Sequence, residues 1–304
     1  MLNDCRPWAD ARLETVGCSE LAALFGGEGA DGFTSEYELY HGKTGGIPRA
    51  DLGSDVLWGS LLEPSVIEGT RRVLGWDSVG WSDVRPSMLA LPAGVSYVET
   101  ERGLHLRHPC GLGGTPDGIV RREFALWLLE IKIASIWAFE RWPGKGEGLP
   151  DAYLLQVWGY LGLLGLARAL VAVFILERRE LRTYEVEAQP AMFALICERA
   201  AAFWDRVRRG DEPEPDLGRD ADAVARRWKS LDRVGAVDWS GNPALCAMVA
   251  EYHAARESRL SAAKFEETRK TLLLHRMGSA ERVIAGRLTV STAGNVLRVK
   301  EHKL

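Results

Sequence analysis

Glu130 and Lys132 interrupt the apolar run Ala125 to Ile133. A run of that kind reads as a central strand covered on both faces. Residues two apart on a strand point to the same side, so the carboxylate and the ammonium share a surface. Burying either is expensive unless it is paired or metal-bound. Just upstream, Thr115 to Gly118 places Asp117 at a tight turn entering the preceding strand. The short connection Arg121 to Glu123 predicts that this strand folds back beside the Glu130 strand, so that Asp117 and Glu130 meet at one edge of the sheet. Two carboxylates and a lysine suit a hard cation. Magnesium takes oxygen ligands, keeps several waters and leaves room for a phosphate. Lys132 is placed to hold the attacking water or to stabilise charge developing on the phosphate.

Two further stretches contribute polar groups. Gln156 and Tyr160 are one helical turn apart and share a face. Glu63 lies on a helix expected over Trp58 to Leu74, with Leu62, Val66 and Val73 near its buried side and Pro64 close to its start. Each has an ordinary alternative: a polar fringe on a core helix for Gln156 and Tyr160, a solvent-facing side chain for Glu63.

Positioning these groups requires a sizeable fold. The chain has 304 residues, 46% hydrophobic and 26% charged, which excludes disordered and fibrous classes. The expected architecture is α/β, a central mixed sheet flanked by helices over residues 1–215, followed by a smaller α+β extension over 216–304. The breaker at 211–216 marks the boundary. Strand signals dominate from Met88 to Ile133, broken at 108–114 and 121–123. Tyr153 to Leu176 is apolar enough to suggest a membrane span, but Gln156, Gly165 and Arg168 interrupt it. It reads instead as a buried helix to about Leu166 and a buried strand from Ala169. Ser19 is expected to cap a short helix, Glu20 to Phe25, and loops are expected around Ser35 to His41. The extension predicts a helix over Ala221 to Leu231 and a long charged helix from Pro243 to Met277 capped by Asn242. A hairpin of 283–290 and 296–299 is expected to close it.

Taken together, these motifs resemble those of the PD-(D/E)XK nuclease superfamily, and within it the lambda-type phage exonucleases and the YqaJ-like viral recombinase family. Asp117 with Glu130-x-Lys132 matches the active-site signature, Gln156 and Tyr160 match a Gln-x-x-x-Tyr helix, and Trp58 to Glu63 matches a Trp-Gly-x-x-x-Glu segment. Trp8, Arg12 and Ser19-Glu20 match a Trp…Arg…Ser-Glu pattern. The resemblance covers about residues 8–215. It implies catalytic roles for Glu63, Asp117, Glu130, Lys132 and Gln156. It implies metal ligation by Glu63, Asp117, Glu130 and the Ile131 backbone carbonyl, with Mg2+ or Mn2+ as the ion. It assigns DNA and 5′-phosphate contacts to Arg12, Ser19, Thr115 and Tyr160, and a strand-separating wedge to Val56. The implied activity is 5′→3′ digestion of linear double-stranded DNA, leaving single strand for recombination. A ring-shaped homo-oligomer, often a trimer in that family, a phage single-strand annealing partner and a cytoplasmic setting are implied with it.

A net charge of −4 and a pI near 6.0 run against a generally basic nucleic-acid binder, though a local positive groove is compatible with an acidic remainder. Cys5, Cys18, Cys110, Cys197 and Cys246 are scattered without a paired spacing. That argues against a disulfide framework, a zinc ribbon or an iron–sulfur cluster, and no secretion leader is visible. His105, His108 and Cys110 match no zinc spacing and read as a solvated loop. The competing functions are a structure-specific or restriction-like endonuclease of the same fold and an inactive DNA-binding relative.

Overall fold

The computed structural model describes residues 7–26, 34–47, 54–122, 124–232, 234–293 and 296–301. The chain opens with helix α1 (Trp8–Leu13), strand β1 (Val16–Gly17), a 3-10 turn over Cys18–Glu20 and helix α2 (Ala22–Phe25). The first helix was not expected, and the second starts later than expected, without Ser19 as its cap. The Glu20 carboxylate folds back to accept the Gly17 amide at 2.6 Å, which draws residues 18–20 into the tighter turn. Helix α3 (Glu36–Thr44) stands where a loop was expected. Ser35 caps it by accepting the Glu38 amide at 3.0 Å. The surrounding glycines hide this helix in the sequence. Helix α4 (Ser54–Leu74) starts four residues before the expected position, so Pro64 lies in its interior.

The strands β2 (Asp77–Gly80), β3 (Ser96–Thr100), β4 (Gly103–Arg107), β5 (Leu112–Gly114), β6 (Gly118–Arg122) and β7 (Ala125–Ala134) follow. Then come α5 (Ile136–Phe139), α6 (Asp151–Leu164), β8 (Arg168–Ile175), β9 (Glu180–Glu187), α7 (Pro190–Arg209) and α8 (Ala221–Ser230). A five-stranded mixed sheet has the order β2-β6-β7-β8-β9, and a four-stranded sheet the order β1-β5-β4-β3. The β6–β7 pair is antiparallel with Gly118 opposite Leu129, and β7–β8 is parallel with Glu130 opposite Val171.

Strand β7 is covered on both sides, as its composition predicts. Leu128 and Ala134 join the core built from α6 and α7, whereas Trp127, Leu129 and Ile131 pack with Val66 of α4. The fold is therefore α/β with helices on both faces of a mixed sheet. The buried side of α4 is Val66, Ile67 and Leu74, not Leu62 and Val73. Thr70 shares that side, fully buried, its hydroxyl donating to the Val66 carbonyl at 2.8 Å. A polar residue satisfied in this way conceals the true apolar face. Tyr153 to Leu176 divides into α6 and β8 as expected, and among the described residues no helix is long and apolar enough to cross a membrane.

The chain forms two compact units, Met1–Leu231 and Asp232–Leu304, so the division falls beyond the expected 215/216. Helix α8 stays with the first unit because Ala223 packs against Tyr37 and Ile47. Its Arg226 also pairs with Glu38, and Arg227 with Glu212 at 2.9 Å. The second unit holds α9 (Pro243–Met277), capped by Asn242, and the strands β10 (Arg282–Ala285), β11 (Leu288–Ala293) and β12 (Val296–Glu301). The strand expected over 283–290 turns back at Gly286, whose φ of 61° suits a tight turn. Three antiparallel strands result instead of a hairpin.

A carboxylate and lysine cleft as the candidate active site

The antiparallel β6–β7 pairing brings the turn before β6 to the middle of β7. Asp117 Oδ2 accepts the Ile131 amide at 2.7 Å. Glu130 is 1% exposed and Lys132 16%, and their side chains meet at 2.7 Å on the α6 face. Gln156 closes a triangle: its Nε2 donates to Glu130 Oε1 at 2.5 Å, and its Oε1 accepts from Lys132 Nζ at 3.1 Å. One turn further along α6, the Tyr160 hydroxyl donates to the Thr115 carbonyl at 3.0 Å. Glu130 Oε1 thus receives two donors, whereas Glu130 Oε2 is buried without a hydrogen-bond partner.

The electrostatics are under tension. Burial, then the nearby Asp117 carboxylate, pushes Glu130 up to about 8. Burial followed by Asp117 likewise raises Glu63 to about 7. Asp117 is itself raised by burial, against the pull of Lys132, the Ile131 amide and the Glu130 carboxyl, which can donate to Asp117 when protonated. Burial alone would lower Lys132, but Glu130 and Asp117 outweigh it and keep the ammonium charged. These groups line one cleft of about 1610 Å³, larger than an ordinary small-molecule pocket. The three carboxylates face it without converging as a set to within 4.8 Å.

A hard divalent cation fits this donor set. It would bind the unpartnered oxygen of Glu130 and relieve the carboxylate repulsion, with waters filling the sites that Glu63 and Asp117 leave open.

The mouth of the same cleft gathers the amino-terminal residues. Arg12 and Ser19 both line it, but Arg12 is already paired with Glu20 at 2.8 Å. Glu20 also takes Lys43 at 2.7 Å. Burial would raise Glu20, yet Lys43 and Arg12 hold it below the ordinary carboxylate range. Trp8 Nε1 donates to Thr115 Oγ1 at 3.1 Å, and the Arg12 and Arg102 guanidiniums stack on the Trp8 ring. Every residue expected at the site, other than Val56, therefore reaches this cleft. Val56 belongs to α4, but its side chain lies outside the described residues.

Sequence reasoning missed Arg102, Lys43 and Tyr153, whose ring lies 4.9 Å from Lys132 Nζ. Lone basic and aromatic residues carry no spacing signal that would have found them. It also misread His105. That residue is buried in β4, bridging Thr15 at 3.0 Å and Thr115 at 3.1 Å, not solvated in a loop.

The combination defines a class: an α/β protein with a buried Asp…Glu-x-Lys site on the central strand of a mixed sheet, where an edge of the sheet was expected, open to a large cleft. The chain belongs to the family described as the YqaJ-like viral recombinase domain, which matches residues 7–166. It is 25% identical over 238 residues to the uncharacterized protein YqaJ of Bacillus subtilis (strain 168). That match covers 76% of this chain and 66% of the relative, so the chain spans just under two-thirds of the relative's length. Among solved structures it is similar to an alkaline exonuclease from Laribacter hongkongensis, at 20% identity and a TM-score of 0.49, covering 71% of this chain and 98% of that one. A phage-related exonuclease from Haemophilus somnus 129PT is similar at 16% identity and a TM-score of 0.44, covering 64% and 96%.

Proposed function

We propose that this chain is a Mg2+-dependent exonuclease that digests linear double-stranded DNA from 5′ ends, leaving single strand for recombination. The observation that carries this reading is the buried, unpartnered Glu130 Oε2 beside Asp117, with Lys132 held next to both. Glu63, Asp117, Glu130 and the Ile131 carbonyl would hold the cation, which when bound supplies charge neutralisation at the phosphate and a more acidic water. Manganese would serve in place of magnesium. Gln156 fixes the orientation of Glu130 by occupying Oε1, which leaves Oε2 for the cation. Lys132 keeps its charge and stabilises the negative charge that builds up on the phosphate during attack. Membership of a viral recombinase family agrees with a role at DNA ends, and the cleft is roomier than an ordinary small-molecule pocket.

Arg12 and Ser19 are the residues proposed to receive the terminal 5′-phosphate. Arg12 would exchange its single contact with the Glu20 carboxylate for the phosphate, which a guanidinium can bind bidentately. Thr115 and Tyr160, which line the same cleft, are proposed as further DNA contacts. The proposed working form is a ring-shaped homo-oligomer, a trimer being the proposed size, acting in the cytoplasm with a single-strand annealing protein, and Val56 is the proposed wedge. The deciding experiment is Mg2+-dependent digestion of linear duplex carrying 5′-phosphate or 5′-hydroxyl ends, against a covalently closed circle. Faster loss of the phosphorylated duplex with an intact circle is expected. Cleavage of the circle would place the protein among endonucleases, and no cleavage of any substrate would overturn the assignment.

A further inference from the structure

Away from the residues that line the cleft, three metal-ligating side chains converge from distant parts of the sequence. His108 and Cys110 lie on the turn between β4 and β5, and Cys197 lies on α7. The turn has its own backbone support: the His108 amide donates to the Leu112 carbonyl at 2.8 Å, and the Gly111 amide to the His108 carbonyl at 2.9 Å. Gly111 has a φ of 85°, and a Cβ there would stand 2.1 Å from the Trp204 ring. Trp204 Nε1 donates to the Gly111 carbonyl at 2.9 Å. Trp204 follows Cys197 on the same face of α7, two turns along, so the indole that pins the turn also fixes the register of the cysteine against it. His108 Nδ1 lies 2.9 Å from Cys110 Sγ and 3.8 Å from Cys197 Sγ. It also accepts the Cys110 amide at 3.2 Å, which makes it the lone-pair nitrogen and puts the ring proton on Nε2.

We propose that His108 Nδ1, Cys110 Sγ and Cys197 Sγ form a second metal site, for a soft divalent cation of the zinc class, with water as the remaining ligand. Among the described residues, these three ligand atoms all lie within 4.8 Å of one another. A tetrahedral zinc centre spaces nitrogen and sulfur ligands roughly 3.5–3.8 Å apart. The contact from His108 to Cys197 already matches that spacing, and the one to Cys110 needs to open by less than about 1 Å, a small side-chain rotation. All three residues are half-buried, within reach of solvent. Thiolate and imidazole donors select zinc over magnesium, whereas the carboxylate cleft has the opposite preference. Binding releases the two thiol protons to solvent, and no redox change is involved. The Gly111 carbonyl accepts the Val16 amide at 2.8 Å, so a cation here would tie α7 to the strand that leads into Ser19.

The test uses the reduced, chelator-treated full-length protein titrated with Co2+ and then Zn2+. A thiolate-to-cobalt charge-transfer absorption that saturates at one equivalent is expected, and Zn2+ is expected to bleach it. Cys197→Ser and Cys110→Ser should each abolish the band, with circular dichroism unchanged to show that they fold. Asp117→Asn, which disables the carboxylate cleft, should keep it. Zn2+ should also raise the melting temperature of the wild type and not that of the serine variants. Absence of the band in wild type, its survival in Cys197→Ser, or its loss in Asp117→Asn would each overturn the proposal. None of these readouts depends on nuclease activity, so this site and the proposed function fail or stand separately.

Discussion

Replacing Glu130 by glutamine should stabilise the cation-free protein while abolishing cleavage. The carboxyl is pushed up to about 8 in the folded chain, against an ordinary value of 4.5. Because the folded value is the higher one, the folded state holds its proton longer. The associated stability is fully present below about pH 4.5 and is lost as pH rises through about 8. Once both states are ionised, the difference amounts to about 5 kcal/mol, as an order of magnitude. Glutamine resembles the protonated acid, keeps an oxygen for Gln156 and Lys132, and never ionises. Its advantage over wild type should therefore be under about 1 kcal/mol near pH 4, about 3 near pH 7 and close to 5 near pH 9.

Urea unfolding in chelator across that pH range measures the trend directly. Adding Mg2+ at about a hundred times its dissociation constant should return about 2.7 kcal/mol to wild type and nothing to the variant. If Glu130→Gln instead lowers stability near pH 9, the contact from Glu130 to Lys132 is a net stabilising ion pair, and the carboxylate is not held there at a cost for binding a cation.

The other expectations use the same geometry. Lys132→Met should leave folding intact and lower kcat by at least about 100-fold, since it removes a preorganised charge at the phosphate; a single-turnover assay on duplex DNA decides it. The Mg2+ affinity of wild type should strengthen as pH rises through about 7, because burial and Asp117 hold Glu63 protonated below that value. Glu63→Gln should remove the Glu63 share of that rise and leave the share from Glu130, which is pushed up to about 8; calorimetric titration between about pH 6 and 8 would show an unchanged slope if Glu63 does not ligate. Arg12→Ala should remove most of the preference for phosphorylated ends without changing the rate on 5′-hydroxyl ends; competition digestion measures it. A Gly114→Ala substitution would place a Cβ 2.6 Å from the Tyr160 ring, so it should displace Tyr160 from Thr115 and reduce both melting temperature and activity.

How much of this was legible in the sequence depends on how local the signal is. The Glu130 strand announced itself because two charges broke an apolar run, and the short connection expected over 121–123 left little choice about its neighbour. The Gln156 and Tyr160 pair was legible from helical spacing. By contrast, α3 escaped because its cap, Ser35, lies beside a glycine-rich stretch whose composition reads as loop. The true face of α4 escaped because buried Thr70 looks polar until its hydroxyl is seen bonded to the preceding turn. His108 and Cys110 read as solvated because Cys197, the residue that gives their neighbourhood meaning, is far along the chain and reaches them only through the packing of α7 on the β4–β5 turn. Periodicity and turn chemistry report contacts within one element or across a short connection. They carry no information about such distant encounters.

Two glutamates of α4 have their charges held in opposite ways. Glu68 and Glu63 share a helix and line the same cleft. Glu68 is gripped by Arg71 at 2.8 Å and Arg72 at 2.6 Å, and hydrogen bonds from those guanidiniums pull it down to about 2. It is an exposed helix pair of the kind that solvent and salt screen to little consequence. Glu63 moves the opposite way, because burial and Asp117 oppose its charge more than Arg102 and Lys132 support it. Glu63, Asp117 and Glu130 face one cleft together with the Lys132 ammonium, which is paired with Glu130. Such an arrangement is unfavourable for the chain alone, and it becomes favourable when a divalent cation and a phosphate complete the charge balance.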